Sequence, residues 1–197
     1  FADINGLKMT NDIFGHAAGD ELIKKAAKIL QQACRQGDII ARVGGDEFIM
    51  LLPKTVKEDA LEILKRIKSN FAGVVVRAIR CSISLGVDTK LNPEQSLEEI
   101  IANAENAMYK DKTMNRKSIN KDIIDTIVET LHAKSPLEKQ HSINVGKLSA
   151  QIGAVLQLGE TEISKLNKAG FLHDIGKIVL DDRFLVDGYL NEDEIER

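Results

Sequence analysis

The stretch from Ala41 to Pro53, ARVGGDEFIMLLP, decides how the rest of the chain is read. Residues 39–43 and 48–52 are two apolar runs, and Gly44, Gly45, Asp46 and Glu47 lie between them. Runs of that length around a Gly-rich break predict strand, tip, strand. The glycines permit φ > 0 in a tight tip, and they leave room for a ligand against the backbone. Taken alone, the tip fits a solvated hairpin with two exposed acids as well as it fits a metal and phosphate site.

Upstream, FADI (1–4) reads as the end of a strand, and NGLKMTNDIFGHAAG (5–19) is turn-rich. Asp20 then precedes a helix carrying Leu22, Ile23, Ala26, Ile29, Leu30 and Ala33 at helical spacing, with Gly37 as its stop. Downstream, a second amphipathic helix carries Ala60, Leu61, Leu64 and Ile67. In residues 74–87, Ile79, Cys81, Ile83 and Leu85 alternate with Arg80, Ser82 and Ser84. Pro93 leads into a third helix over 96–112. The order β-α-β-β-α-β-α suits an α+β fold, a mainly antiparallel sheet with helices on one face. From about Asn120 every periodic segment is helical: Ile123, Ile124, Ile127, Val128 and Leu131; then Val145, Leu148, Ile152, Val155 and Leu156; then Ile163, Leu166, Ala169 and Leu172. We place the domain boundary there, giving 1–118 and 119–197, with the join a continuous or nearly continuous helix.

The chain has 197 residues, enough for one to two domains, and 43% hydrophobic content, enough for a core. Its net charge is −3 with both signs interspersed, which argues against a nucleic-acid partner because no basic block stands ready to neutralise phosphates. No apolar run in this fragment approaches membrane-helix length. Cys34 and Cys81 lie in apolar patterns and read as buried free thiols, which makes the cytoplasm the expected compartment. Phe1 opens inside an apolar run and the chain stops in a polar, helix-favouring stretch. We read a piece of a longer protein, whose upstream region leaves room for a membrane anchor.

If the strand ending near Asp3 neighbours the tip, Asp3, Asp46 and Glu47 converge at one sheet edge. Clustered carboxylates repel unless a cation sits among them, and hard oxygen ligands suit Mg²⁺. GGDEF as it stands at 44–48 is the name-giving motif of the GGDEF domain of diguanylate cyclases. ADINGLKMTNDIFGHAAGDELI, SISLGV and AENAMYKDKTMNR resemble that family's first-strand block, later strand and final helix, in order, over residues 1–118.

The resemblance implies a nucleotidyl-cyclase-like, ferredoxin-like palm sheet with flanking helices. It implies Mg²⁺ held by Asp3, Asp46 and the Ile4 carbonyl, with Glu47 close to the metals and able to assist deprotonation of the attacking hydroxyl. It implies guanine reading by Asn11 and Asp20, whose amide and carboxylate suit the guanine edge; a turn residue and a helix N-cap are their plain structural readings. Triphosphate contacts fall to Lys8, Lys112 and Arg116, with Gly44 and Gly45 at the substrate, and Arg42 matches an arginine near the tip. The implied reaction condenses two GTP molecules into cyclic di-GMP and pyrophosphate, and since one domain presents one GTP, a homodimer is required. Arg35 and Asp38 form an RxxD pattern in the register of the family's inhibitory product site, which favours product feedback over a plain surface ion pair. Asn5, Val43 and Asn115 depart from the common pattern at positions other than the matched metal and guanine residues.

In GFLHDIGKI (170–178), His173 and Asp174 are adjacent, and His141 opens an earlier helix. Imidazole takes transition metals and a carboxylate bridges them. HSINVGKLSAQIGAVLQL and AGFLHDIGKI resemble the HD superfamily of metal-dependent phosphohydrolases, most closely the HD-GYP type that hydrolyses cyclic di-GMP. This implies an all-α HD fragment with His141, His173 and Asp174 on a divalent transition metal, Fe or Mn, and Lys177 near the phosphate. DGYL (187–190) is not the GYP signature. The expected function is cyclic di-GMP turnover by a cyclase followed by a phosphodiesterase. The alternative is a catalytically silent GGDEF domain that senses GTP or cyclic di-GMP and regulates the HD hydrolase.

Overall fold

A computed structural model describes residues 1–180; DGYL lies outside them. The chain divides into two compact units, Phe1–Ile124 and a second that begins at Asp125. The first contains β1 (Ala2–Asn5), α1 (Leu7–Phe14), α2 (His16–Ala33), β2 (Ile39–Arg42), β3 (Glu47–Leu51), α3 (Lys57–Phe71), β4 (Val75–Val76), β5 (Ile79–Arg80) and β6 (Ser82–Leu85). The helix α4, Leu97–Lys134, is one uninterrupted element. The main sheet has the order β2-β3-β1-β6 and is antiparallel throughout; β4 and β5 form a separate hairpin.

The predicted hairpin is present, with Arg42 opposite Phe48 and Ile39 opposite Leu51. β1 lies inside the sheet, pairing Asp3 with Glu47 on one side and with Ser84 on the other. Alternation then sorts the residues. Ala2, Ile4, Phe48, Ile83 and Leu85 join Leu22, Ala26 and Leu30 of α2 and Ile67 and Phe71 of α3 in the core. Each large apolar side chain buried there contributes roughly 1.5–3 kcal/mol. Asp3, Asn5 and Ser84 have the opposite parity, yet they too are buried. Helices therefore do not occupy one face alone, as the sequence order suggested. α4 covers the second face: a Cβ at Gly86, which has this same parity, would overlap the Ala104 carbonyl oxygen and the Met108 nitrogen. The polar groups under α4 satisfy one another. Asn5 Nδ2 donates to Ser82 Oγ at 3.0 Å, and Ser84 Oγ donates to Asn5 Oδ1 at 3.1 Å.

Two local expectations change. The turn-rich segment after β1 is mostly helix. Gly6 at φ 82° opens α1, Gly15 at φ 78° closes it, and Thr10 Oγ donates back to the Gly6 carbonyl. α2 begins at His16, so Asp20 lies inside the helix and is not its N-cap. The alternating segment 79–85 is split into β5 and β6, but its apolar set, Ile79, Cys81, Ile83 and Leu85, is buried as expected. Burial pushes the Cys81 thiol up to about 11; Cys34 is only half-buried, and both are free.

The second unit contains the end of α4, α5 (Pro136–Val155), α6 (Glu160–Leu172) and a 3-10 turn at Ile175–Val179. The apolar face assigned to α5 is not its packed face. Leu148, Ile152, Val155 and Leu156 are exposed among the described residues, while Ser142, Gly146 and Gly153 are buried. Small residues win because α5 and α6 approach at backbone distance: a Cβ at Gly146 would meet the Asn167 carbonyl at 3.0 Å, and one at Gly170 the Val145 carbonyl at 2.9 Å.

Gly86→Ala should destabilise the first unit by roughly 1–3 kcal/mol or more, because the obstructing atoms are helix backbone that cannot rotate away. Urea unfolding followed by circular dichroism measures this, and an unchanged midpoint would mean α4 does not lie tightly on β6.

Candidate functional site

The register that pairs Asp3 with Glu47 brings the tip acids to β1. The Ile4 N–H donates to the Asp46 carbonyl at 2.9 Å and ties the tip down. Arg42 braces it from outside, Nε donating to the Gly44 carbonyl at 3.1 Å and Nη2 to the Gly45 carbonyl at 2.8 Å. The glycines are not there for positive φ, which among the described glycines is confined to Gly6, Gly15 and Gly37. A Cβ at Gly44 would lie 2.8 Å from Glu47 Oε2, the mobile end of that side chain, so it would displace the carboxylate and not the backbone; beside Gly45 the space is open.

Asp3 is 4% exposed. Lys112 Nζ donates to both of its carboxylate oxygens, each at 2.8 Å. Burial pushes the Asp3 carboxyl above the usual range; the Lys112 hydrogen bond and charge oppose this without cancelling it, and the negative charge of Asp46 adds to the rise. Asp3, Asp46, Glu47 and the Ile4 backbone thus sit at adjoining positions at one sheet edge, but among the described residues the three carboxylates are not drawn together closely enough to share one cation. Arg116 is one helical turn beyond Lys112 on α4 and is exposed. Lys8 is exposed on α1. Asn11 on α1 meets α2 at Gly19, where a Cβ would overlap the Asn11 side-chain oxygen. Asp20, the next residue, is exposed on α2. The bare glycine is what lets the amide of Asn11 sit against the turn of helix that carries Asp20.

Arg35 and Asp38 are linked. The Arg35 N–H donates to Asp38 Oδ2 at 2.9 Å, and Arg35 Nε lies 3.5 Å from Asp38 Oδ1. The Asp38 side chain is 2% exposed and that of Arg35 is 61% exposed. Arg35 Nη2 donates to the Pro53 carbonyl at 2.6 Å and to Thr55 Oγ at 3.0 Å. Both residues line a cavity of about 300 Å³ with Asp59, Glu62 and Arg66. Arg66 was not foreseen, and an arginine on an amphipathic helix gives no sequence signal of such a role.

In the second unit, His141 on α5 and His173 at the C-terminus of α6 meet because Gly146 and Gly170 allow the two helices to approach. Their Nε2 atoms are 3.2 Å apart. Asp174 Oδ2 is 3.0 Å from His173 Nε2 and 3.5 Å from His141 Nε2. His173 Nδ1 is 2.8 Å from the Gly170 carbonyl, which can only accept, so Nδ1 carries a proton and Nε2 is the atom turned toward His141 and Asp174. The two Nε2 atoms and Asp174 Oδ2 crowd one point, where a proton or a cation must lie among them. The three ligand atoms lie within 4.8 Å of one another, a nitrogen and oxygen set that fits a transition metal. Lys177 Nζ is 2.9 Å from both Asp174 Oδ2 and Glu138 Oε1. Burial alone would raise the Asp174 carboxyl, but the Lys177 hydrogen bond and the charges of Lys177, His173 and His141 hold it below the usual range. Glu138 was not foreseen: Ser135-Pro-Leu-Glu138 is the pattern of a helix start, which accounts for the glutamate without any site.

Residues 1–118 match the family model described as diguanylate cyclase, GGDEF domain, and residues 139–197 match the HD domain model. The chain is similar to diguanylate cyclase DgcM of Escherichia coli, 32% identical over 118 residues, covering 59% of this chain and 28% of the relative. It is 34% identical over 120 residues to the bifunctional diguanylate cyclase/cyclic di-GMP phosphodiesterase MucR of Pseudomonas aeruginosa, covering 59% of this chain and 17% of the relative. The chain thus spans well under half the length of these relatives. Among solved structures, the active GGEEF domain of a Vibrio cholerae diguanylate cyclase is 31% identical with a TM-score of 0.53, covering 57% of this chain and 73% of that one. The GGDEF domain of DgcB from Caulobacter crescentus, solved in complex with c-di-GMP, is 26% identical with a TM-score of 0.52, covering 57% and 69%. The chain belongs to the GGDEF diguanylate cyclase family and carries an HD domain after the GGDEF domain.

Proposed function

We propose that the chain is part of a cyclic di-GMP turnover protein, in which residues 1–118 make the dinucleotide and residues 119–197 begin an HD-GYP-type domain that hydrolyses it. The observation that carries the first half is Asp3, a buried carboxylate in register with Glu47 and repelled by Asp46. Such a group is costly to bury unless cations gather there. Asp3, Asp46 and Glu47, with the Ile4 carbonyl, would hold Mg²⁺, which when bound neutralises phosphate charge and lowers the pKa of an attacking hydroxyl. Asn11 and Asp20 read the guanine edge. Lys8, Lys112 and Arg116 hold the triphosphate, and Gly44 and Gly45 let it approach the backbone. Glu47 takes the proton of the 3′-hydroxyl. The new bond joins that oxygen to the α-phosphorus of a second GTP, and the bond to the β-phosphate breaks to release pyrophosphate. Each domain holds one GTP, so two copies of the chain face each other. Arg35 and Asp38 take the product as a brake.

For the second half, His141 and His173 through Nε2, and Asp174, would hold Fe or Mn, which when bound supplies an activated water. Lys177 meets a phosphate oxygen.

With the full-length protein, Asp46→Ala should lower cyclic di-GMP synthesis from GTP by about 10²-fold or more, and Asp174→Ala should do the same to hydrolysis of added cyclic di-GMP. GTP binding without product in the wild type would favour the sensor reading instead. Arg35→Ala should raise the cyclic di-GMP concentration that half-inhibits synthesis by about 10- to 100-fold, the worth of a charged hydrogen bond; an unchanged inhibition curve removes Arg35 from the brake.

The raised Asp3 pKa also predicts a pH dependence. The native state holds the Asp3 proton to higher pH than the unfolded chain does. The penalty for ionising it is absent below the unperturbed value of 3.8, grows as pH rises toward the folded value, and is complete above that. Asp3→Asn, measured in chelator, should therefore be more stable than the wild type at pH 7, with the gap closing as pH falls toward 4. Urea midpoints across that range check this; a less stable variant at pH 7 would show that the Lys112 attraction outweighs burial.

A further inference from the structure

Glu138 is the carboxylate that the proposed reactions leave unused, and its position is over-determined. It is the third residue of α5, after Pro136 and Leu137, and its N–H donates to Ser135 Oγ at 3.3 Å. In a capping box its side chain would turn back to the Ser135 N–H. That N–H instead donates to the Leu131 carbonyl at 3.0 Å, as part of the end of α4. The Glu138 carboxylate goes to Lys177, with Oε1 at 2.9 Å from Nζ. The glutamate is largely buried, and its second oxygen, Oε2, has no hydrogen-bond partner among the described residues. A buried carboxylate is held there only by a strong compensating contact, and Lys177 is that contact.

Lys177 is shared between two acids, and they are not equivalent. Asp174 Oδ2 lies 2.9 Å from Lys177 Nζ, but the same oxygen faces His141 and His173. It belongs to the donor set of the metal centre, and a divalent cation at that oxygen weakens its hold on the lysine. Glu138 lies one turn before His141 on α5 and is not among the three clustered donors. Its contact with Lys177 therefore uses no oxygen of that donor set.

We propose that Glu138 is a positioning residue: it keeps the Lys177 ammonium beside the His141–His173–Asp174 cluster, so that the lysine meets a phosphate oxygen of the bound phosphodiester. This rests on the reading of the second unit as a metal-dependent phosphohydrolase. It adds that the lysine is pre-placed by a fixed carboxylate on a neighbouring helix, which spares the entropy of ordering a long side chain when phosphate arrives.

The test uses full-length protein loaded with Mn²⁺. Metal content is measured first, then inorganic phosphate binding by calorimetry, and then kcat and KM for cyclic di-GMP. Glu138→Ala and the near-isosteric Glu138→Gln should keep the metal and weaken phosphate binding, Glu138→Ala by about tenfold. They should raise KM more than they lower kcat. Lys177→Ala should weaken phosphate at least as much. In the Lys177→Ala background, Glu138→Ala should cost nothing further, because it acts only through the lysine. Equal losses in both backgrounds overturn the proposal, as does loss of metal from Glu138→Gln or unchanged phosphate affinity in both Glu138 variants. If phosphate binding responds as described but no cyclic di-GMP is hydrolysed, the positioning role stands and the substrate reading falls. If the loaded wild type binds no phosphate, both fall.

Discussion

The structure of the first unit depends on one awkward group, the carboxylate of Asp3 on an interior strand. Antiparallel pairing fixes Asp3 between Glu47 and Ser84. A slip of one residue would exchange Asp3 with Ile4 and turn the carboxylate into the apolar core of α2 and α3. With the register fixed, Asp3 faces α4, and α4 must supply a positive charge at that place. Lys112 does so with both carboxylate oxygens. Gly86 lets α4 come down to backbone contact with the end of β6, which puts Lys112 within reach. Burial still raises the carboxyl pKa, so the attraction is incomplete and the position retains an electrostatic demand for further positive charge.

The second unit meets the same demand by different means. No sheet register is available, so helix separation does the work. Gly146 and Gly170 remove the side chains that would hold α5 and α6 apart, and His141 and His173 come to 3.2 Å between Nε2 atoms. The Gly170 carbonyl then accepts from His173 Nδ1 and leaves Nε2 turned toward His141 and Asp174. Gly170 thus acts twice, through its missing side chain and through its backbone oxygen. Helix pairs usually meet through large apolar side chains in the seam; here Leu148 and Ile152 are exposed among the described residues.

Much of this was legible in the residues, and the failures have physical reasons. The strand-tip-strand hairpin, the amphipathic face of α2 and the buried set Ile79, Cys81, Ile83 and Leu85 follow from periodicity, because in those elements burial and hydrophobicity coincide. They fail to coincide in α5, where Gly146 and Gly153 pack and Val155 does not, and a hydrophobicity pattern cannot see a contact made by an absent side chain. α1 was hidden because Asn-Gly and Asn-Asp are turn signals. The left-handed Gly6 uses its freedom to enter a helix, and Thr10 back-bonds to it. The acids of GGDEF were legible as neighbours of Asp3, but the setting of Gly44 was not: it lacks positive φ, and a side chain there would push against the Glu47 carboxylate. Glu138 was masked by an adequate local explanation, since a helix start wants an acid at that position whether or not a lysine waits across the fold.

A lysine sits on a metal-type carboxylate in each unit, but the two lysines differ in what else holds them. Lys112 is placed through Asp3, the same two oxygens that a divalent cation would share. A cation there would weaken the lysine's tether, and the ammonium is on a long side chain that is 41% exposed and so able to turn to another anion. Lys177 has Asp174 in the same double role, and also Glu138, which stands outside the donor set. A cation that takes Asp174 leaves Lys177 where it is. The first arrangement suits a site in which nucleotide and metal arrive together and the lysine must move from one anion to the other. The second suits a resident metal and a substrate that comes and goes, for which a stationary ammonium loses least entropy at each turnover.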